Sequence, residues 1–270
     1  MTTALLGVGM MGENLLAGLV ASGVTPGDLV GTDLRPQRQQ EISDRYGVRV
    51  VGDNVEAVTG ADTVVVIVKP YDVAAVLDGI SAALSPDTLV VSLAAGVELS
   101  VLEAHLPAGQ PVVRVMPNTP ASVGEGMSAI AAGTSATEAH LARAADLLGA
   151  VGRVVTVPEK HLDAVTAVSG SGPAYVMYVA EAMIDAGVLL GLPRDVATTL
   201  AAQTLYGSAK LLRDSGVHPA VLRENVTSPG GTTAAALRTL DDRGVKAAFL
   251  AALEACRDRS QELAAQARTS

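Results

Sequence analysis

The chain has 270 residues, 49% of them hydrophobic, which is material for one large domain or two ordinary ones that fold without staples. Nineteen Lys and Arg against twenty-eight Asp and Glu give a formal charge of −9 and a pI near 4.9. That balance disfavours nucleic acid and anionic membranes, which demand a basic surface, and favours a small-molecule substrate; the single cysteine, Cys256, excludes an internal disulfide framework and points to a reducing compartment.

Residues 2–6 read as a short apolar strand running straight into Gly7-Val8-Gly9-Met10-Met11-Gly12, and residues 13–21 follow with helical spacing, Leu15, Leu16, Leu19 and Val20 forming an apolar stripe. G-x-G-x-x-G on a strand-to-helix turn is the dinucleotide loop: Gly7 for the tight turn, Gly9 for close approach of a pyrophosphate, Gly12 for packing of helix on strand. No basic stretch precedes this strand and the glycines interrupt any signal-like core, so a cytoplasmic location is expected.

Further apolar runs at 29–31, 63–68, 89–93, 112–116 and 153–157 alternate with helix-like segments as far as Pro158. The run at 63–68 is apolar without alternation, as in a parallel strand covered on both faces. The expected fold is therefore α/β, an N-terminal Rossmann-type doubly wound parallel sheet over residues 1–158. In such a sheet the residues directly after each run matter most. They are Asp33 and Arg35 after the second, Lys69 and Pro70 after the third, Ala95 and Gly96 after the fourth, and Asn118 after the fifth.

Cofactor choice reads two ways. Asp33, twenty-one residues beyond Gly12, suits the 2′-hydroxyl of NAD and repels the 2′-phosphate of NADP, whereas Arg35 can bind that phosphate.

Residues 159–270 carry no strand signal and are expected to be all-helical, with helices at 159–192, 194–215, 219–226, 232–243 and 245–268. Ser169-Gly170-Ser171-Gly172-Pro173 interrupts the first of these and is expected to kink it. Residues 174–192 are apolar on nearly all faces but carry Glu181 and Asp185, which argues for a buried helix rather than a membrane span, covered by a second copy in a homodimer. Ser228, Gly230, Gly231, Thr232 and Thr233 form a hydroxyl-rich, glycine-rich helix entrance suited to a carboxylate, with plain N-capping as the alternative. His105, His140, His161 and His218 are scattered, so no metal is expected.

Taken together, Val68-Lys69-Pro70, Ala94-Ala95-Gly96, Met116-Pro117-Asn118-Thr119-Pro120, the LDAVTAVSGSGPAY run at 162–175 and the NVTSPGGTTAAAL run at 225–237 resemble pyrroline-5-carboxylate reductase over essentially the full length. The resemblance implies hydride transfer from NADPH, with NADH expected as well, to the C=N carbon of 1-pyrroline-5-carboxylate, giving L-proline. It implies that Leu6, Gly7, Val8, Gly9, Met10, Met11 and Gly12 hold the pyrophosphate and that Asn54, Val68, Lys69, Pro70, Ala95 and Gly96 line the ribose and nicotinamide. It further implies that Glu159, Asn225, Thr232 and Thr233 meet the substrate or the nearby nicotinamide, and that the helical domain forms a dimer, with five dimers in a decamer. Thr233 is the candidate hydroxyl for the ring nitrogen. A β-hydroxyacid dehydrogenase of similar architecture would need a base, a lysine on the long helix opening the second domain, and residues 162–192 contain none.

Overall fold

The computed structural model describes residues 1–267. In the first half of the sheet region, β1 (Thr3–Leu6) leads into α1 (Met10–Ala21), followed by β2 (Leu29–Thr32), α2 (Pro36–Tyr46), β3 (Arg49–Val51), α3 (Asn54–Val58), β4 (Thr63–Val66) and α4 (Val73–Ile80). The second half is β5 (Leu89–Ser92), α5 (Leu99–Ala104), β6 (Val112–Met116), β7 (Gly126–Ala132), α6 (Glu138–Gly149) and β8 (Gly152–Thr156). The strands form one sheet in the order β3-β2-β1-β4-β5-β6-β7-β8.

The sheet is covered on both faces, and its inner strands β1, β4 and β5 are buried at every position. Ala4, Leu6, Val64, Val66, Val90 and Val112 pack with residues of α3, α4 and α5 such as Val58, Leu77 and Leu102. Leu5, Val65, Val91, Val113 and Val115 point the other way, against Leu15, Leu16, Ile42 and Leu148 on α1, α2 and α6. Adjacent residues of one strand thus enter opposite core layers, which is the period-two alternation of a strand buried twice.

Two strands escape the sequence pattern. β3 has only three residues, partly exposed at the sheet edge, and β7, GMSAIAA, is built mostly of small residues with weak strand preference. β7 also corrects the expectation of a wholly parallel sheet: it pairs antiparallel with β6 and parallel with β8, so the last two strands oppose the first six. The cause is connection length. Only a short loop with a 3₁₀ turn at Thr119–Val123 joins β6 to β7, too little chain for a parallel crossover, whereas α6 provides one between β7 and β8.

The helical region comprises α7 (Leu162–Val165), a π turn (Thr166–Gly170), α8 (Gly172–Leu189), α9 (Arg194–Ser215), α10 (Pro219–Asn225), α11 (Thr232–Asp242) and α12 (Val245–Ala267). The single kinked helix expected over 159–192 is divided. A 3₁₀ turn at Glu159–His161, α7 and the π turn precede α8, and Ser171 N donates to Thr166 O at 2.8 Å across the widened turn. The expected end of the last helix at Arg268 lies outside the described residues.

Contacts divide the chain into two compact units, one of Met1–Ser171 with the described residues from Cys256 on, the other of Gly172–Ala255. Within the second, small residues bring α8 and α9 together: a Cβ on Gly187 would lie 2.9 Å from Cβ of Ala197, itself buried. α8 has no buried residue, and Met177, Tyr178 and Leu189 are 66%, 74% and 88% exposed, so the cover expected for this helix is not supplied by its own unit. No helix among the described residues is long and apolar enough to cross a membrane.

Candidate active site

At the carboxyl ends of β1 and β4, where the strand order reverses, the first unit opens a cleft of about 1230 Å³. Its floor is the glycine loop. Gly7 has φ +100°, and a Cβ there would sit 2.8 Å from Ile67 O; a Cβ on Gly12 would sit 2.0 Å from Gly7 O. A Cβ on Gly9 would meet nothing within 4 Å. Gly7 and Gly12 therefore let the chain close on itself, while Gly9 leaves open the space a pyrophosphate must enter. α1 starts at Met10 without a side-chain cap, so its first N–H groups, which lack intrahelical partners, and its dipole would favour an anion there. The loop fits a dinucleotide.

Of the residues expected to hold cofactor, Gly7, Gly9, Met10, Met11 and Gly12 border the cleft, as do Asp33, Arg35 and Asn54 on one side and Val68, Lys69, Pro70 and Ala95 on the other. Leu6 and Val8 do not; their side chains are fully buried in opposite core layers, leaving only backbone to reach a ligand. Gly96 and Asn118 are not on the wall either. The Asn118 amide is engaged at both ends, donating to Ser169 O at 3.1 Å and accepting from Met127 N at 2.8 Å, and so ties β7 and the π turn to the loop that carries Pro117 and Thr119 into the cleft. Sequence reading missed Gly52, Asp53 and Val55, which follow the unrecognised β3, and Val76, Gly79 and Ile80 on α4. It also missed Thr32, whose hydroxyl lies 3.2 Å from Gly7 N and donates to Asn54 Oδ1 at 2.7 Å, linking the glycine loop to the start of α3.

Asp33 and Arg35 are engaged with each other. Arg35 Nε and Nη2 reach the two carboxylate oxygens at 3.0 and 3.1 Å, and Arg35 N adds a third bond at 2.9 Å. Burial works to raise the Asp33 pKa, but these bonds and the guanidinium charge outweigh it and hold the carboxyl below its ordinary value. The Arg35 side chain is 70% exposed and that of Asp33 10%, so a ligand phosphate can reach the guanidinium from solvent.

Glu13, in the first turn of α1, would oppose a bound pyrophosphate if its charge stood alone. It does not: Arg38, Arg45 and Tyr46 of α2 all bond its carboxylate, and Arg38 Nε also donates to Val8 O at 3.0 Å. Burial favours its neutral form, yet the bonds from Arg38 and Tyr46 with the charges of Arg38 and Arg45 leave its pKa lowered.

Glu159 accepts from Leu99 N at 2.7 Å and from Arg114 Nη1 at 2.8 Å through the same oxygen. In the second unit, Asn225 closes α10, and Gly230, with φ +68°, turns the chain so that Gly231 N donates to Ser228 O at 3.0 Å. Thr232 and Thr233 are the first residues of α11, whose N-terminus no side chain caps. Plain hydroxyl capping is therefore not what these threonines do, and the entrance presents unpaired N–H groups beside their hydroxyls. Among the described residues no group of His, Cys, Asp and Glu is placed to hold a metal ion.

Residues 159–263 match the family described as pyrroline-5-carboxylate reductase dimerisation, and residues 2–96 match NADP oxidoreductase, coenzyme F420-dependent. A pyrroline-5-carboxylate reductase of Corynebacterium melassecola is 45% identical over 97% of this chain and 98% of its own. Among solved structures, that of the Coxiella burnetii reductase superposes with a TM-score of 0.93 at 33% identity, covering 97% of this chain and 98% of that one. The Plasmodium falciparum enzyme, determined with NADP bound, does so at 0.86 and 30% with the same coverage. With a dinucleotide cleft, a match to a dimerisation family over its helical region and 45% identity to a named reductase over 97% of its length, the chain belongs to the pyrroline-5-carboxylate reductase family, oxidoreductases that reduce the C=N bond of 1-pyrroline-5-carboxylate to give L-proline.

Proposed function

We propose that residues 1–158 hold NADPH, and NADH as well, along the carboxyl edge of the sheet, and that residues 159–270 hold the cyclic imine and form the dimer. The bound nicotinamide supplies the hydride to the C=N carbon. The observation that carries this reading is the glycine loop that closes on itself at Gly7 and Gly12 but stays open at Gly9, in a chain whose relatives are reductases throughout their length. An imine is primed for hydride once its nitrogen is protonated, and the product amine keeps that proton, so these residues need to place the reactants rather than supply a strong base.

In this reading the helix entrance at Gly230–Thr233 takes the substrate carboxylate through the backbone N–H groups of Thr232 and Thr233, Asn225 and Ser228 flank it, and the Thr233 hydroxyl bonds the ring nitrogen. The uncapped start of α11 supports it. Lys69, exposed at the cleft mouth, and Pro70 border the ribose and nicotinamide. The unpartnered apolar face of α8 and the match to a dimerisation family support a homodimer, and we extend this to a decamer of five dimers acting in the cytoplasm.

The test is oxidation of NADPH and of NADH with 1-pyrroline-5-carboxylate, run beside a hydroxyacid with the oxidised cofactors. Turnover of the imine alone is expected; turnover of the hydroxyacid alone would defeat the reading. Thr233→Ala is expected to lower kcat/KM up to about tenfold, the worth of one polar contact of about 0.5–1.5 kcal/mol. Unchanged kinetics in that variant would take Thr233 out of the site.

A further inference from the structure

Among the described residues, the buried set of the first unit contains one charged side chain, Arg114, 9% exposed. Its place on β6 is dictated by alternation: Val112 and Met116 share its face and pack in the layer that includes Ala94 and Leu102. A guanidinium does not give up its charge, so burial there demands an anion. Glu159 is that anion, and the oxygen that meets Arg114 also accepts the N–H of Leu99, the first residue of α5.

One carboxylate oxygen therefore joins three pieces of chain: β6, the start of α5 and the 3₁₀ turn at Glu159–His161. Two of them continue into the cleft wall. The segment before α5 carries Ala94 and Ala95, and β6 ends in Met116, followed by Pro117; all four border the cleft. Displacing the start of α5 moves the first pair, and a shift of Arg114 moves the second.

We propose that Arg114 and Glu159 are a positioning pair for hydride transfer, setting where the two loops at the nicotinamide end of the cleft stand through the oxygen they share with the start of α5. The proposal rests on the reductase reading above and adds to it a role for Glu159 other than substrate contact. A misplacement of the reacting atoms by about 1 Å costs on the order of a hundredfold in rate, so small loop shifts register strongly in kcat. The glycine loop and the Asp33–Arg35 end lie on other elements and are left intact, so cofactor affinity is not expected to follow.

The experiment uses the full-length protein and Glu159→Ala. The expected result is a fall in kcat of about tenfold or more, a dissociation constant for NADPH changed by less than about twofold, and a larger primary isotope effect with cofactor deuterated at the transferred hydrogen. In the cofactor-free protein the Leu99 amide is expected to exchange with solvent at least about tenfold faster. Glu159→Gln keeps an acceptor for both donors and is expected to recover most of the rate. A purely structural role would lower the melting temperature and leave kcat per active site and the isotope effect at parental values; a folded Glu159→Ala protein with that behaviour overturns the proposal.

Removing Glu159 strands a buried cation and can prevent folding. The double variant Arg114→Met with Glu159→Gln removes the charge pair while keeping an acceptor for Leu99, and parental kcat in that protein overturns the proposal equally. A parent enzyme that fails to turn over the imine would defeat the reductase reading, while Leu99 exchange and NADPH affinity would still judge the pair.

Discussion

Gly9→Ala is expected to fold as stably as the parent and to lose kcat/KM for NADPH and NADH alike by about a hundredfold or more, some 3 kcal/mol of binding. The backbone at Gly9 is extended, with φ −67° and ψ −159°, which alanine adopts without strain, and its Cβ would meet no protein atom within 4 Å. The methyl group would project instead into the space the pyrophosphate needs, and it would penalise both cofactors because both carry that group. Gly12→Ala is expected to fail differently: its Cβ would lie 2.0 Å from Gly7 O, backbone on backbone, so the loop and α1 must part at a cost of about 3 kcal/mol or more in stability. Thermal unfolding and steady-state kinetics on the two variants separate the cases. A Gly9→Ala enzyme with parental KM for both cofactors would show that the pyrophosphate does not lie on this loop.

Arg35→Ala is expected to reduce kcat/KM for NADPH by about ten- to a hundredfold, through loss of its charge-assisted bonds to the 2′-phosphate, and to change NADH by less than about threefold. Two effects add. The 2′-phosphate loses its cation, and Asp33, its charge no longer offset by the guanidinium, is left to repel it. Asp33→Ala is expected to do the reverse, lowering NADH by about tenfold and sparing or improving NADPH, because the ribose hydroxyl loses its acceptor while Arg35 is released to the phosphate. The measurement is the ratio of kcat/KM for the two cofactors in parent and variants. Ratios that move together in both variants would mean that this pair does not read the 2′ position.

Part of the site was legible residue by residue. The glycines of the loop, Asp33 twenty-one residues on and the helix entrance at Thr232 are local features: a φ only glycine reaches, a methyl group that would collide, N–H groups at a helix end; that no side chain caps that entrance came from the structure. The two-faced burial of β4 was likewise written in its unbroken apolar run. Sequence reading placed Asn118 and Glu159 among the ligand contacts; the structure adds that the Asn118 amide bonds Ser169 and Met127 and that one Glu159 oxygen bonds Arg114 and Leu99, partners up to 60 residues away.

What the chain by itself determined is what short-range periodicity and steric exclusion can encode: an N-terminal nucleotide loop, alternating strands and helices, then helices alone. The tertiary structure alone decided that β7 runs antiparallel, that Gly52, Asp53, Val55 and α4 also border the cleft, and that a buried arginine and a glutamate 45 residues later share one oxygen with the start of α5. Each of these depends on which distant segments meet when the sheet closes its layers. A meeting of that kind leaves no period in the sequence, because its energy belongs to pairs of residues rather than to either one.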